Sequence, residues 1–426
     1  MNDPVSDMIS RVLDRVNRIG ASNPGWTRPS YSAEETQAHD IIADEAMRLG
    51  LRVTRDAGGN LFARLPGAEK RMPALYSGSH LDTVPSGGAF DGAAGVAGAM
   101  ALAAHFVERG ETLPFDLIVS VIRAEESVWF PSSYIGSRAA LAGLEESELS
   151  ICRADTGRTL ADHMREQGGD PEVVISHRGL KPARFLEMHI EQGPILHEAG
   201  QSFATVDGIR GSLRYRFARI EGAWGHSGGV PRHLRSDTVF ALAELIGMLD
   251  KDWADIEADG KDLAITVGRI DAATADHAFA KVPGQVEFCL DLRSNSTALL
   301  EHMDARLKGF AAQIAQERGV RFDFGPQSRS RPARLDSEMR DAFLAQAKSR
   351  GLTIPTLASG GGHDAAAFAD AGWQSAMVFL RNWNGSHTPD EGMDPKDLAE
   401  AVRCIAATLT ENPMFASPSD VEATPT

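Results

Sequence analysis

The chain places residues with metal-ligand chemistry at or just beyond runs that have the pattern of buried strands. The set comprises His80, Asp91, Glu126, His189 and His387. Small or turn-forming residues flank most of them. Three imidazoles and two carboxylates suit zinc, manganese, cobalt or nickel. The same set also suits two ions that share a bridging carboxylate, an arrangement that clamps both the attacking and the leaving oxygen.

The densest part of this set lies in residues 77–98. This stretch follows an apolar run that predicts a buried strand over 73–76, and it continues into a helix predicted over 92–105. The ligands would therefore lie on a loop that leaves a strand, where open α/β sheets place their sites. Asp82, two residues after His80, could accept the second ring proton of that imidazole and fix its tautomer.

Each of these residues has an ordinary explanation when it is taken alone. A single histidine is more often a structural or surface residue than a ligand, and the chain has 13 histidines. The pair Glu125 and Glu126 could belong to a solvated loop, and His-x-Asp is a common polar loop contact. The joint occurrence of the five candidates at strand ends is what favours a metal site.

Composition and charge narrow the class of protein. The 426 residues predict two domains or one large domain, and the formal net charge of −16 makes nucleic acid and anionic membranes poor partners. The three cysteines are odd in number and widely spaced, so no disulfide framework is expected and a reducing cytoplasm is the simplest compartment. Residues 1–20 lack the apolar centre of a signal peptide, and no run reaches the roughly 18 apolar residues of a membrane span.

The elements that must position the candidates follow from periodicity and turn residues. The first part of the chain predicts a helix over 5–19 and a second helix that a capping box of Ser32 and Glu35 opens and that ends just before Gly50. It also predicts a hairpin over 51–65 and strands over 117–122 and 184–190. A β-α-β-β-α series then predicts an inserted domain, with elements over 213–220, 236–249, 263–270, 286–292 and 299–316. The first fold resumes with elements over 336–350, 375–380 and 394–408.

These elements predict an α/β protein with a smaller inserted α+β sandwich domain. The expected division is a first domain over 1–207, an inserted domain over 208–325, a return of the first domain over 326–411, and a disordered tail over 412–426. Gly325-Pro326-Gln327-Ser328 is the expected return linker.

Several strings of residues resemble the metal-dependent amidases of the hydantoinase/carbamoylase group. This group includes N-carbamoyl-L-amino acid hydrolases, β-ureidopropionases and allantoate amidohydrolases, within the wider clan of dinuclear aminoacylases and exopeptidases. The resemblance extends from about Arg28 to Leu409. It is carried by Gly78-Ser79-His80-Leu81-Asp82-Thr83-Val84, Phe90-Asp91-Gly92, Glu125-Glu126, His189-Ile190-Glu191-Gln192-Gly193-Pro194, Gly362-His363-Asp364-Ala365 and Ser386-His387.

The resemblance implies a mixed-sheet α/β/α catalytic domain, an inserted lid and dimerisation domain, and two divalent metal ions per subunit. One ion would be held by His80, Asp91 and His189, and the other by Asp91, Glu126 and His387, with Asp91 bridging. Zinc, manganese, cobalt and nickel remain open. Glu125 would act as the general base on a metal-held water, and Glu126 is the alternative base.

The resemblance also implies substrate contacts. His226, in Gly225-His226-Ser227-Gly228, looks like the lid histidine that stabilises the oxyanion in the active site of the partner subunit of a homodimer. Arg293 would grip a substrate carboxylate with its planar fork, although a salt bridge to Asp291 is an alternative role. Gln192 would contact the amide or ureido group. The chain departs from the group at Ala280, where asparagine is common.

The sequence therefore favours hydrolysis of a C–N bond in an N-carbamoyl amino acid or related ureido acid, through a metal-activated water. An N-acyl amino acid, a dipeptide or an aromatic amine is the alternative substrate for the same site. A non-catalytic binding protein that kept the fold is a third reading, opposed by the intact ligand set. A nucleotide-binding protein is disfavoured because the Gly-rich 359–362 has no P-loop lysine.

Overall fold

The computed structural model describes residues 3–69, 72–273 and 276–416. The chain divides into two compact units, and the second unit is inserted in the first. The first unit runs to Asp207 and resumes at Arg334, and Gly208–Ala333 forms the second unit.

Helices and strands alternate along much of the first unit. Before the insertion they are α1 Pro4–Val16, α2 Ala33–Arg48, β1 Arg52–Arg55, β2 Leu61–Leu65, β3 Leu75–His80, α3 Ala93–Arg109, β4 Leu117–Ile122, α4 Ile135–Ala140, α5 Leu160–Glu166, α6 Pro171–Val174, β5 Arg184–Ile190, α7 Ile195–Ala199 and β6 Phe203–Ile209. The predicted hairpin is the antiparallel pair β1 and β2.

The second unit contains β7 Gly211–Glu221, β8 Gly225–His226, α8 Thr238–Ala258, β9 Ala264–Asp271, β10 Lys281–Val282, β11 Gln285–Ser294, α9 Thr297–Arg318, β12 Arg321–Asp323 and β13 Gln327–Ser330. The chain returns through β14 Ala333–Arg334. It ends with α10 Ser337–Ser349, β15 Thr356–Ser359, α11 Asp364–Asp370, β16 Gln374–Leu380, β17 Asn382–Trp383, β18 Gly392–Met393 and α12 Pro395–Glu411.

One nine-stranded sheet organises the first unit. Its order is β1-β2-β4-β3-β5-β16-β6-β14, with β15 beside β6. The central strands β4, β3, β5 and β16 are parallel, whereas β2 and β6 run antiparallel to their neighbours. Every residue of β4 is buried, which explains its continuous apolar sequence, because strands covered on both faces need no polar alternation. The predicted mixed-sheet α/β class is confirmed.

Helix α3 packs against β3, β4 and β5, and small residues allow it to approach them closely. A Cβ added at Gly95 would lie 2.0 Å from the carbonyl oxygen of Met188 in β5. Gly92, immediately before the helix, has a φ of 66°, which glycine adopts without a steric penalty. The chain can therefore turn sharply between Asp91 and the buried helix.

The second unit is an antiparallel sheet with helices on one face. The sheet order is β12-β7-β11-β9, β13 also pairs with β7, and side chains of α8 and α9 pack on the sheet in one apolar cluster. The predicted return of the chain at residue 326 is too early. Gln327 and Ser328 of the predicted linker, together with the next two residues, form β13 and pair with β7, so they extend the inserted sheet instead of leaving it.

The first residues of the predicted disordered tail are ordered. Pro413–Phe415 forms a 3₁₀ turn, and the Phe415 ring is buried with its centroid 6.0 Å from that of Phe115. Residues 417–426 of that predicted tail lie outside the described residues. In the described part of the chain, no helix combines the length and the apolar character that crossing a membrane requires.

Candidate metal centre

The carboxyl ends of the parallel strands bring the five predicted ligands to one edge of the sheet. His80 is the last residue of β3, because pairing with β4 continues to His80 opposite Ile122; the strand is longer at this end than the sequence predicted. His189 is the second-to-last residue of β5, and Glu126 lies four residues beyond the end of β4. His387 lies beyond β16, after the short strand β17. Parallel strands end at a common edge, which is why residues far apart in sequence meet there.

Two groups of three ligands share Asp91. The Nε2 atoms of His80 and His189 lie 3.4 and 3.3 Å from Asp91 Oδ1. His387 Nε2 lies 3.5 Å from Asp91 Oδ2 and 3.3 Å from Glu126 Oε1. Within each group the potential ligand atoms all lie within 4.8 Å of one another. The two oxygens of Asp91 thus face different groups, which is the arrangement that a bridging carboxylate needs.

The hydrogen bonds of the two buried imidazoles fit a metal centre. His80 Nδ1 lies 3.0 Å from the carbonyl oxygen of Asp82, and His189 Nδ1 lies 2.9 Å from that of Ile190. A carbonyl oxygen only accepts, so in the neutral ring each Nδ1 carries the proton and each Nε2 carries the lone pair that a metal ligand needs. Nitrogen and oxygen donors together suit divalent transition metals.

Burial and mutual charge set the electrostatics of this cluster. Burial raises the pKa of Glu125 well above its ordinary value and also raises that of Glu126. Burial acts in the same direction on Asp91, but the neighbouring His189 and His80 hold its pKa well below the usual range. The hydrogen bond to Glu126 raises the pKa of His387 to about 9. The charge on each group therefore depends on its neighbours.

Asp82 contacts more of the site than the sequence predicted. Its Oδ1 lies 3.3 Å from His80 Nδ1, as expected for a residue that orients the ring. The carboxylate also accepts hydrogen bonds from the backbone N–H groups of Glu125 and Glu126, at 3.1 and 3.2 Å, and from the Ser30 hydroxyl at 2.6 Å. One buried side chain therefore orients a predicted ligand and the backbone of the two adjacent glutamates.

Asp91 has partners that the sequence did not predict. The Ser386 hydroxyl and the Gln192 amide donate to its Oδ2 at 2.6 and 2.8 Å, so Gln192, predicted to contact substrate, here bonds a predicted ligand. Glu391 Oε1 accepts from the N–H groups of Phe90 and Asp91, at 2.8 and 3.1 Å. Ser386 stood beside His387 in a quoted motif, whereas Glu391, 300 residues from Asp91 along the chain, had no local pattern that could reveal it.

The two remaining predicted residues lie in the second unit. His226 is exposed on β8, and its Nδ1 accepts the N–H of Gly228 at 3.2 Å. Its Nε2 therefore carries the proton in the neutral ring and is a hydrogen-bond donor. Arg293 makes the salt bridge that was its alternative role, with two nitrogens 3.0 and 2.9 Å from Asp291 Oδ2.

Comparisons with known proteins agree with the motifs. Residues 76–411 match Peptidase family M20/M25/M40. An N-carbamoyl-L-amino-acid amidohydrolase of Paenarthrobacter aurescens is 32% identical over 94% of this chain and 96% of its own length. An allantoate amidohydrolase of Bacillus subtilis is 30% identical over 95% and 97% of the two chains.

The solved structures point the same way. A hydantoinase/carbamoylase family amidase from Burkholderia multivorans superposes with a TM-score of 0.84 at 26% identity, covering 95% of this chain and 97% of that one. The resemblance to hydantoinase/carbamoylase amidases inferred from the motifs is confirmed. The chain belongs to Peptidase family M20/M25/M40, a family of metal-dependent hydrolases.

Proposed function

We propose that the protein is a two-metal amidohydrolase that cleaves a C–N bond of an N-carbamoyl amino acid or a related ureido acid. The position of Asp91 between two ligand groups is the observation that carries the two-metal part of the proposal. The names of the two relatives, one acting on N-carbamoyl-L-amino acids and one on allantoate, support the ureido substrate class.

The residues of each group would hold one divalent ion. His80, Asp91 and His189 would hold the first, and Asp91, Glu126 and His387 the second, with zinc, manganese, cobalt or nickel as candidates. Bound ions of this kind polarise a carbonyl oxygen and lower the pKa of bound water towards about 7.

Glu125 is the proposed general base. It belongs to neither ligand group, yet its Oε2 lies 4.0 Å from His80 Nε2. Burial raises its pKa towards the range in which a carboxylate can both take and return a proton. Glu125 would accept a proton from the attacking water and deliver it to the leaving nitrogen. Glu126 suits the base role less well, because its carboxylate faces His387 at 3.3 Å.

The second unit would supply groups that recognise the substrate. The Nε2–H of His226 would donate to the oxyanion that develops as water adds to the carbonyl. Arg293 would exchange its bond to Asp291 for the substrate carboxylate, and Gln192 of the first unit would contact the ureido group. We further propose a homodimer in which His226 acts in the partner's site.

The test is turnover of a substrate panel. N-carbamoyl, N-formyl and N-acetyl amino acids, allantoate and ureidopropionate would each be assayed with zinc, manganese, cobalt and nickel. Hydrolysis of an N-carbamoyl amino acid consumes one water and releases the amino acid, carbon dioxide and ammonia, so ammonia release from a ureido acid is the expected result. Turnover of acylated amino acids alone, without ammonia, would reject the ureido assignment in favour of an acylase.

A further inference from the structure

We propose that Glu35 of helix α2 is a positioning residue for Glu125, and that it acts through the backbone of Ala124. The proposal rests on the general-base role of Glu125 proposed above. Glu35 lies on a different element from the base, and the motifs of the site do not include it. Its carboxylate is fully buried.

Buried carboxylates hold three successive backbone N–H groups at the end of β4. The N–H of Ala124 donates to Glu35 Oε1 at 2.9 Å. The next two, those of Glu125 and Glu126, donate to the two oxygens of Asp82. The whole segment that carries the proposed base and a predicted ligand is therefore fixed through its backbone.

The backbone conformation of Ala124 explains why this segment needs stabilising contacts from other parts of the chain. Ala124 has a φ of 52°, in the left-handed region that a residue with a Cβ rarely adopts. Such a conformation persists only where the surrounding structure imposes it. Because Ala124 immediately precedes Glu125, its dihedral angles set the direction in which the Glu125 side chain leaves the backbone. Release of the Ala124 N–H would let the turn relax and move the base.

Glu35 is itself rigidly held, so it can act as a fixed anchor. Its Oε2 accepts from Arg123 Nη1 and from the N–H of Tyr31, each at 2.7 Å. Arg123 is also fully buried, and it donates to the Gly59 carbonyl oxygen at 2.9 Å and to the Thr36 hydroxyl at 3.0 Å. These bonds tie the end of β4 to α2 and to the β1–β2 turn.

A purely structural role for this buried ion pair is the alternative, and the same helix offers a matched control. Glu45 of α2 is also buried, at 1% exposure, and it pairs with Arg15 and Arg48. In the described part of the chain, its carboxylate makes no hydrogen bond or ion pair with residues 123–126. Glu45→Gln should therefore lower the thermal midpoint without changing kcat of the folded enzyme.

The experiment measures kcat, KM and metal content for Glu35→Gln and Glu35→Asp, each with and without Ala124→Gly. The Asp variant keeps a negative charge beside Arg123, so it serves if the Gln variant does not fold. Each single variant should lose about 10- to 100-fold in kcat, the loss expected for a misplaced catalytic group, with metal content retained and KM within about twofold. Assays are run below the unfolding temperature of every variant.

Adding Ala124→Gly is the decisive step, because glycine adopts a positive φ without the penalty paid by alanine. It should raise kcat of the Glu35 variants about 5- to 30-fold, the factor that corresponds to the left-handed penalty of an L-residue. A folded Glu35→Asp enzyme with unchanged kcat would overturn the proposal, and so would a loss of kcat that glycine does not relieve. A Glu125→Gln enzyme with full kcat would show that Glu125 is not the general base. That outcome would reject the proposed function of Glu125 and is distinct from the outcomes that reject the positioning role of Glu35.

Discussion

Asp91 links the two ligand groups because each of its oxygens faces a different set of side chains. We predict that Asp91→Ala loses both ions and all turnover, since a shared ligand serves two ions at once. Elemental analysis of the purified variant measures this directly. Asp390→Ala, at an exposed position three residues after His387, is the control and should keep the wild-type metal content. Two ions per chain in Asp91→Ala would contradict the bridging assignment.

Glu125 and Glu126 are adjacent, but the structure separates their surroundings. We predict that Glu125→Gln keeps its metals and loses about 10²- to 10⁴-fold in kcat, the usual contribution of a general base. Glu126→Gln should lose metal instead, because Glu126 belongs to a ligand group. Kinetics and metal content measured on both variants distinguish the roles. Metal loss in Glu125→Gln, with retention in Glu126→Gln, would reverse them.

At the scale of elements, the sequence predicted those whose pattern is local. The apolar run of β4 and the amphipathic spacing of α1 define their elements without reference to the rest of the chain. The short helices α4, α5 and α6 were not predicted. Helix α4 is held in part by a long-range hydrogen bond, in which Asn60 Nδ2 donates to the carbonyl oxygen of Gly136 at 2.9 Å.

Contacts between residues that are distant in sequence also limited what the sequence could predict about the site. The five ligands carry a motif, so the sequence could select them. Glu35 appeared in the sequence only as half of a capping box with Ser32. In the structure the Ser32 hydroxyl does accept the Glu35 N–H, but the Glu35 carboxylate bonds Tyr31, Arg123 and Ala124. Arg123 and Ala124 are 88 and 89 residues away from Glu35 along the chain, so a local sequence pattern cannot reveal these contacts.

Helix α2 also carries a histidine whose burial makes stability depend on pH. His39 is fully buried, neither ring nitrogen has a hydrogen-bond partner among the described residues, and burial lowers its pKa well below the ordinary 6.5. The folded state keeps the ring neutral, whereas the unfolded state takes up a proton below about pH 6.5. The free energy of unfolding is therefore unaffected by His39 above about pH 6.5 and decreases as the pH falls below this value.

We predict that His39→Leu removes this dependence. At pH 5.5 the neutral buried ring costs about 1.4 kcal/mol relative to pH 7.5, the free energy of one pKa unit. The thermal midpoint of the wild type should therefore fall further than that of His39→Leu between pH 7.5 and pH 5.5. His302→Leu, at an exposed position, should behave as the wild type does. An equal fall in His39→Leu would show that other groups control the acid response.

At the scale of the whole molecule, the proposed homodimer makes a prediction that single variants cannot. His226→Ala and Glu125→Gln should each lose most of their activity, because one lacks the oxyanion donor and the other the base. If His226 acts in the partner's site, a heterodimer of the two variants contains one site with both intact groups. Mixing after reversible dissociation should then restore part of the activity.

The control for that experiment is a mixture of Glu125→Gln with Asp91→Ala. Both substitutions affect the first unit, so no site of that heterodimer is complete. Native mass spectrometry establishes that heterodimers form in each mixture. If the heterodimer of His226→Ala and Glu125→Gln forms but no activity is recovered, His226 acts in the site of its own subunit or is only a surface residue.

The order of strands in the main sheet has a consequence for synthesis on the ribosome. Strand β16 lies between β5 and β6, yet the second unit is translated before β16. A nascent chain that has reached residue 333 therefore has no strand to fill the middle of its sheet, and His387 is not yet made. The inserted unit, which has its own apolar cluster, is already translated at that stage. The second ligand group is complete only after His387 is translated, so a metal ion that binds earlier meets the full group of His80, Asp91 and His189, whereas Asp91 and Glu126 still lack their third partner.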